Sequence, residues 1–317
     1  MIGRLRHAAN VALTRGLKRA QRLRERRDGW RLRASSLPLL WRREVTVECP
    51  NTLFSRKQVK QLHGHVQRIA FRDGTIARRL GDRRIEGVRR WEYGVLLGSL
   101  RSHRDRDDWR ALDVGTGNST FPRYLFRTGN VGTMTTFDLP SSYEKTYERT
   151  VAEDTALGIE RVHGSMLDMP FADGSFDLVT CISAIEHLDG DRLAAKHGRA
   201  GSERLPYDEY IATSRRAVDE MLRVLRPGGL LYLTTDAFLD KLQETDAWAG
   251  TGPGEPIWSA YRMEDVVPLF VEPLEAGGFD FVGGHDYSPE LLLNDPDRSN
   301  YRGRYFTTFA VFARKPG

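Results

Sequence analysis

From Ala111 onward, short apolar runs take turns with stretches of helical period, and that alternation leaves few architectures open. Ala111–Val114, Gly132–Leu139, Ile159–Val162, Phe176–Ile182 and Leu230–Thr234 read as strands. Thr120–Arg127, the stretch from Tyr143, and Arg215–Leu225 read as helices between them, the last stopped by Arg226-Pro-Gly-Gly229. Phe176–Ile182 (FDLVTCI) carries few polar residues, as a strand covered on both faces does. The pattern predicts an α/β fold with a doubly wound, mostly parallel sheet that binds its ligand at the carboxyl ends of the strands. A helix from Ile85 to Leu100 leads in. A helix over 263–276, then Phe279–Val282 and Phe306–Phe312, closes a seven-strand sheet whose last strand runs antiparallel.

The first strand ends in Asp113-Val-Gly115-Thr-Gly117-Asn118-Ser119. Glycines after a strand let a ligand approach the backbone. Here a carboxylate stands two residues before the first glycine, where it repels phosphate and attracts an ammonium. No Gly-Lys-Ser/Thr follows, which excludes a P-loop. Asp138 closes the second strand, the usual place for a carboxylate that grips both hydroxyls of a ribose. Gly164-Ser165-Met166-Leu-Asp168-Met-Pro-Phe171 follows the third, where a polar side chain and backbone amides meet the edge of an adenine. An adenosine joined to an amino-acid ammonium, without phosphates, describes S-adenosylmethionine.

With these motifs in this order, the chain resembles the class I S-adenosylmethionine-dependent methyltransferases, in the group that includes ubiquinone/menaquinone-type, glycan and natural-product enzymes. DVGTGNS, FDLP, GSMLDMPF…SFDLV and LRVLRPGGLLYL carry the likeness over about residues 85–315. The resemblance implies that Asp113, Gly115, Thr116, Gly117 and Asn118 line the methionine half and that Asp138 and Leu139 meet the ribose. It places Ser165 and Met166 at adenine, with Asp168 and Ser183 nearby; Asp168 reads equally as a turn cap. The sequence departs at Ser119, where the family has a third glycine, and at Ser165, where the family often has Asp. The helix with Arg90-Trp-Glu-Tyr93 folds over the methionine end or packs into the core through Trp91.

The fourth strand runs into Ser183-Ala-Ile-Glu186-His187. An imidazole titrates near neutral pH, so His187 is a candidate general base with Glu186 beside it; a hydrogen-bonded pocket wall is the other reading. No Asn/Asp-Pro-Pro-aromatic and no Pro-Cys pair stands here, which argues against base-directed enzymes. Charge argues the same way. Residues 1–43 hold thirteen Lys/Arg against Glu25 and Asp28, whereas the rest carries 35 basic and 41 acidic residues. A nucleic-acid partner is not expected.

The domain reading is a basic, mostly helical extension over 1–84 and a methyltransferase domain over 85–317. Acceptor-site insertions fall at 189–210, 236–262 and 285–304. Trp248, Trp258, Tyr261 and Arg262 suit a sugar ring, so a sugar hydroxyl of a glycan or glycolipid is the expected acceptor, with a lipid or quinone acceptor, or a non-catalytic scaffold, as alternatives. Asp189, Asp191, Asp236 and Asp240 carry oxygen but no committed metal spacing, and no metal is assigned. Three readings of residues 2–24 stay open: a packed helix, an amphipathic helix on an anionic membrane, and an organellar presequence. No apolar run reaches the ~18–20 residues of a membrane span; Cys181 reads as a buried free thiol, and a reducing cytoplasm fits both it and Cys49. A cytoplasmic enzyme is the expected placement, and the membrane reading of the segment, if it holds, adds peripheral contact at the inner face through residues 1–30.

Overall fold

The computed structural model describes residues 50–55, 58–59, 88–117, 119, 121–127, 130–139, 144–189, 205–238, 260–288 and 306–317. Of the expected helical extension over 1–84, all but residues 50–55 and 58–59 lies outside them.

The elements are β1 (Asn51–Thr52), α1 (Val88–His103), β2 (Arg110–Val114), α2 (Phe121–Arg127), β3 (Thr133–Asp138), α3 (Glu144–Leu157), β4 (Glu160–His163) and β5 (Phe176–Ile182). There follow α4 (Tyr207–Val224), β6 (Leu225–Phe238), β7 (Tyr261–Arg262), α5 (Met263–Val266), α6 (Glu272–Ala276), β8 (Asp280–Phe281), β9 (His285–Asp286) and β10 (Phe306–Arg314). The main sheet runs β4-β3-β2-β5-β6-β10-β8, with β7 added beside β6. The strands β2 to β6 pair in parallel, and β10 is antiparallel to both of its neighbours. The expected seven strands lie on this path, and the two-residue β7 makes an eighth.

Alternation along each strand builds two cores. Leu112, Val114, Val179, Cys181, Leu231 and Leu233 face one side, with Ala217, Val218 and Met221 of α4 against them. Ala111, Leu178, Leu230, Tyr232 and Phe312 face the other, under Trp91, Val95 and Leu96 of α1. Period two along the strand and three or four along the helix make this inevitable once the sheet is parallel.

The boundaries differ from expectation where the local signal was polar. The helix expected at Arg215–Leu225 begins at Tyr207, after Pro206, with Asp208 and Glu209 in its first turn, where acids complement the helix dipole. It buries Tyr210, Ser214, Ala217, Val218, Met221 and Val224. The 189–210 insertion thus gives its last four residues to α4. Arg226-Pro-Gly-Gly229 is not an interruption between helix and strand but an irregularity within β6: Leu225 pairs with Phe176, and pairing resumes at Leu230 with Leu178. The expected 263–276 helix widens into a π-turn at Val267–Val271, where Pro268 lacks an N–H to donate. Strand β4 sits one residue later than expected, and β8 keeps only Asp280–Phe281.

The described residues before α1 pack onto the sheet. Thr52 and Asn51 pair with β9, Leu53 bridges Phe309, and Phe54 N–H donates to Thr308 O at 2.6 Å. Asn51 is fully buried; its amide donates to Val282 O at 2.8 Å and Gly284 O at 3.1 Å and accepts from Phe312 N–H at 2.5 Å. Asn51→Ala strands a buried N–H and two carbonyls, so urea denaturation is expected to show a loss of about 2–3 kcal/mol. An unchanged unfolding midpoint would contradict this role.

Candidate active site

The glycine loop is held from beneath by β3. Gly115 N–H donates to Phe137 O at 2.8 Å, and Thr116 hydroxyl donates to Asp113 O at 2.8 Å. Gly115 has φ +70, and a Cβ there would lie 2.4 Å from Ala184 Cβ, so only glycine fits. Gly117, φ +53, donates its N–H to Asp138 Oδ2 at 2.5 Å. Asp138 Oδ1 accepts the Leu139 N–H at 2.7 Å. Burial still holds the Asp138 carboxyl above its usual range, against the pull of these two amides, Arg161 and His163. Leu139, 61% exposed, stands beside it as an uncovered apolar face.

Asp113 is nearly covered, 4% exposed, and its carboxylate accepts the Thr180 hydroxyl at 2.6 Å. Burial pushes its pKa up to about 6, partly offset by the Thr180 and Thr116 hydrogen bonds and Arg161, while Asp138 adds to the rise. A carboxylate held by hydroxyls and a distant guanidinium gains from an incoming ammonium.

Ser119, at the family's third glycine, accepts the Phe121 N–H at 3.2 Å at the start of α2 and lies 3.4 Å from the Tyr93 hydroxyl. Its hydroxyl does capping work that glycine does not do. Tyr93 stacks on Phe121 with centroids 4.1 Å apart, so α1 does close over this end of the loop, while Trp91 packs into the core. The core-packing reading of that helix holds for Trp91. Asn118 lies outside the described residues.

The segment after β4 is pinned by α4. Met169 N–H donates to Glu220, and Arg223 donates to Met169 O at 2.9 Å and Phe171 O at 2.7 Å. Ser165 Oγ accepts the Leu167 N–H at 3.2 Å, and the Met166 side chain lies against Gly115. Asp168 is exposed, and its N–H donates to Ser165 O at 3.1 Å, a turn-forming contact.

At the other end of β5 the backbone turns sharply. Ser183 has φ +42, a left-handed conformation that costs a non-glycine residue about 1–3 kcal/mol. It is held by Ser183 N–H donating to Thr234 O at 2.9 Å and by its hydroxyl donating to Glu92 Oε1 at 2.5 Å. Glu92, fully buried on α1, also accepts the Thr234 hydroxyl at 2.6 Å and Arg89 at 2.8 Å. The turn Ile185–Asp189 then points its first two candidates in different directions. Glu186 is buried and accepts the Thr235 hydroxyl at 2.7 Å; His187 is exposed. Asp236 accepts the Thr308 hydroxyl at 2.5 Å. Burial raises both Glu186 and Asp236 well above the carboxylate range; the Glu186 charge adds to the rise at Asp236, and Glu92 adds to both.

Sequence reasoning missed Glu92 and Arg89. The available signal was a glutamate between buried Trp91 and partly buried Tyr93 on an otherwise core-facing helix. Tyr261, expected in the acceptor site, is core: fully buried, stacked on Tyr210 at 4.9 Å, its hydroxyl bonded to Ser214 and Ile185 O. Arg262 lies over the Tyr207 ring, 4.3 Å from its centroid. Trp248, Trp258, Asp191 and Asp240 lie outside the described residues, among which no His/Cys/Asp/Glu group is arranged to hold a metal.

Comparison with known proteins matches residues 112–200 to a methyltransferase domain. The chain is 28% identical over 203 residues to the ubiquinone/menaquinone biosynthesis C-methyltransferase UbiE of Ruegeria sp. (strain TM1040), covering 62% of this chain and 64% of that protein. It is 30% identical over 142 residues to a fatty-acid O-methyltransferase of Mycolicibacterium smegmatis, covering 45% of this chain and 42% of that one. The chain therefore spans less than two thirds of the curated relatives it matches. Among solved structures, a SAM-dependent methyltransferase from Methanosarcina mazei aligns over 68% of this chain and 96% of its own at 17% identity and TM-score 0.44. The YcgJ protein from Bacillus subtilis aligns over 71% and 98% at 16% and 0.43. The matched domain begins one residue before Asp113 and takes in the glycine loop, Asp138 and the turn at Glu186. The sheet order, the glycine loop and the methyltransferase-domain match over residues 112–200 support a class I S-adenosylmethionine-dependent methyltransferase domain in this chain.

Proposed function

We propose that the protein methylates an oxygen of a small acceptor, and that the acceptor oxygen is a neutral hydroxyl, as in a sugar, rather than a carboxylate. When bound, S-adenosylmethionine supplies an electrophilic methyl on a sulfonium. The residues fit that cofactor: Gly115 leaves a cradle that a Cβ would fill, and Asp113 is a buried carboxylate suited to an ammonium. Asp138 is placed to accept hydroxyls with the lone pairs that Gly117 and Leu139 leave free.

One observation carries the acceptor reading. The carboxyls of Glu92, Glu186 and Asp236 gather where β5 and β6 end, and among the described residues Arg89 is the cation that offsets them. An anionic acceptor meets repulsion there. A hydroxyl meets a carboxylate able to take its proton, because a raised pKa brings Glu186 closer to that of a neutral-pH base. His187, one residue on and exposed, is the second candidate for the proton. The resemblance to a fatty-acid O-methyltransferase and to a C-methyltransferase supports the alternative, an apolar lipid or quinone-type acceptor.

Among the described residues no helix is long and apolar enough to cross a membrane. We further propose that residues 1–30, with their basic flank, dock on anionic lipid, which would bring the site to lipid-linked acceptors. Co-sedimentation with phosphatidylserine vesicles, lost on deleting residues 1–30, is the expected result; equal sedimentation of both proteins overturns it.

Two measurements test the site. Radiolabelled methyl from S-adenosylmethionine is expected on sugar hydroxyls in an acceptor panel containing neutral sugars, fatty acids and quinol precursors. Glu186→Gln should lower kcat by about 10²–10⁴-fold with little change in cofactor affinity, and the wild-type rate should fall as pH drops through the raised Glu186 range. Label on fatty acids with Glu186→Gln fully active would overturn the hydroxyl reading.

Asp113 gives the second. Its folded pKa of about 6 lies above that of an unfolded carboxylate, so folding takes up a proton between roughly pH 4 and 6. That contribution to stability is full below pH 4, is lost as pH rises through 6, and stays lost above it. Asp113→Asn should therefore stabilise the cofactor-free protein at pH 7.5 by about 1–3 kcal/mol, flatten the pH 4–6 stability profile, and weaken S-adenosylhomocysteine binding in calorimetry. Unchanged stability and unchanged affinity would remove Asp113 from the cofactor site.

A further inference from the structure

Arg161 on β4 reaches across the sheet edge to the glycine loop. Its guanidinium donates to Gly117 O at 3.2 Å and to Asp154 Oδ2 at 3.3 Å. Asp154, 2% exposed on α3, also accepts Arg123 Nε of α2 at 2.5 Å through its other oxygen, and Arg123 donates further to Glu153 at 2.7 Å. Arg123, Asp154 and Arg161 all have side chains at most 6% exposed. One buried carboxylate therefore holds two arginines, one anchoring the helix that follows the loop and one grasping the loop's own carbonyl.

The peptide on either side of Gly117 is thus fixed by opposite charges. Its N–H points to the Asp138 carboxylate and its C=O to the Arg161 guanidinium. Gly117, at φ +53, has no side chain to restrain it. A loop of this kind loses entropy when a ligand orders it, and one already held does not. Partly satisfied buried ion pairs are costly, whereas a closed set specifies a single arrangement.

We propose that Arg161 is a positioning residue for the cofactor: the buried relay Arg123–Asp154–Arg161 sets the Gly117 peptide, and through it Asp138, in the geometry that accepts the ribose. This rests on the methyltransferase reading for the ligand but not for the relay itself. Arg161 also adds its charge to the groups around Asp138, which are His163 on β4, Asp113 on β2, and the Gly117 and Leu139 N–H groups. Removing the Arg161 charge leaves Asp138 easier to protonate.

The test compares Arg161→Lys, Arg161→Met and Arg123→Lys in the full-length protein. In the cofactor-free state, hydrogen exchange at residues 115–119 should quicken about tenfold or more in both Arg161 variants and change within about twofold in Arg123→Lys, which cuts only the helix arm. S-adenosylhomocysteine affinity should fall about tenfold in Arg161→Lys with its pH profile kept, because lysine keeps the charge but cannot fork to two partners. In Arg161→Met the acid limb of binding should also move to higher pH, a readout that packing alone does not shift. If Arg161→Met does not fold, Arg161→Lys decides through exchange and affinity. Loop exchange and affinity equal to wild type in the folded Arg161 variants overturns the relay. Wild-type protein that binds no S-adenosylhomocysteine overturns the cofactor reading instead, and the exchange comparison still judges the relay.

Discussion

Asp113 lies at the end of a buried strand with a threonine hydroxyl, not a cation, on its carboxylate, and the surrounding site is arranged around that uncompensated charge. A buried carboxylate with only hydroxyl partners costs folding energy that two apolar cores must offset. The fold tolerates it because β2 sits between β3 and β5, with Thr180 in register opposite Asp113. The same strand end forces the chain into a glycine loop, since Ala184 closes off any side chain at Gly115. In the proposed cofactor role, ligand binding and folding pull on Asp113 in opposite directions, as expected where a group is kept charged for a ligand rather than for stability.

A second loop contact repeats this logic with opposite sign. Gly117 is held on its N–H by Asp138 and on its C=O by Arg161, so the loop has a fixed dipole direction before any ligand arrives. Ser119 completes the loop by bonding the first amide of α2 and meeting Tyr93. The family's third glycine gives way here to a serine that joins loop, helix and the overlying α1, which is a local exchange of freedom for hydrogen bonds.

What was legible in the sequence was what neighbours in the chain decide. The apolar run of β5, the order of strands and helices, the glycine loop and the acid closing β3 all follow from period and from residue type at short range. What was not legible depended on partners far along the chain. Glu92 bonds Ser183, ninety-one positions away; Asn51 bonds Phe312 across 261. Nothing beside either residue announces such a partner. Tyr261 failed for the opposite reason: an aromatic in a polar insertion resembles a sugar platform, yet its hydroxyl finds Ser214 and its ring finds Tyr210. The start of α4 was hidden because Pro206 to Glu209 is polar, although a proline followed by acids is itself a helix-start signal.

The acceptor end shows why charge, rather than shape, is the informative property here. Ser183 is held in a left-handed conformation by Glu92, and that turn sends Glu186 inward and leaves His187 outside. Had Glu92 been an apolar core residue, Arg89 would have lost its ion-pair partner and the Ser183 and Thr234 hydroxyls their acceptor. With Glu92 matched to Arg89, Glu186 and Asp236 share what little positive field remains, and burial holds both carboxyls above their usual range. On the proposed hydroxyl reading, the raised Glu186 carboxylate is the group that takes up the proton as the acceptor oxygen is alkylated. A carboxylate acceptor needs no base and brings a charge that this end of the sheet already has in excess.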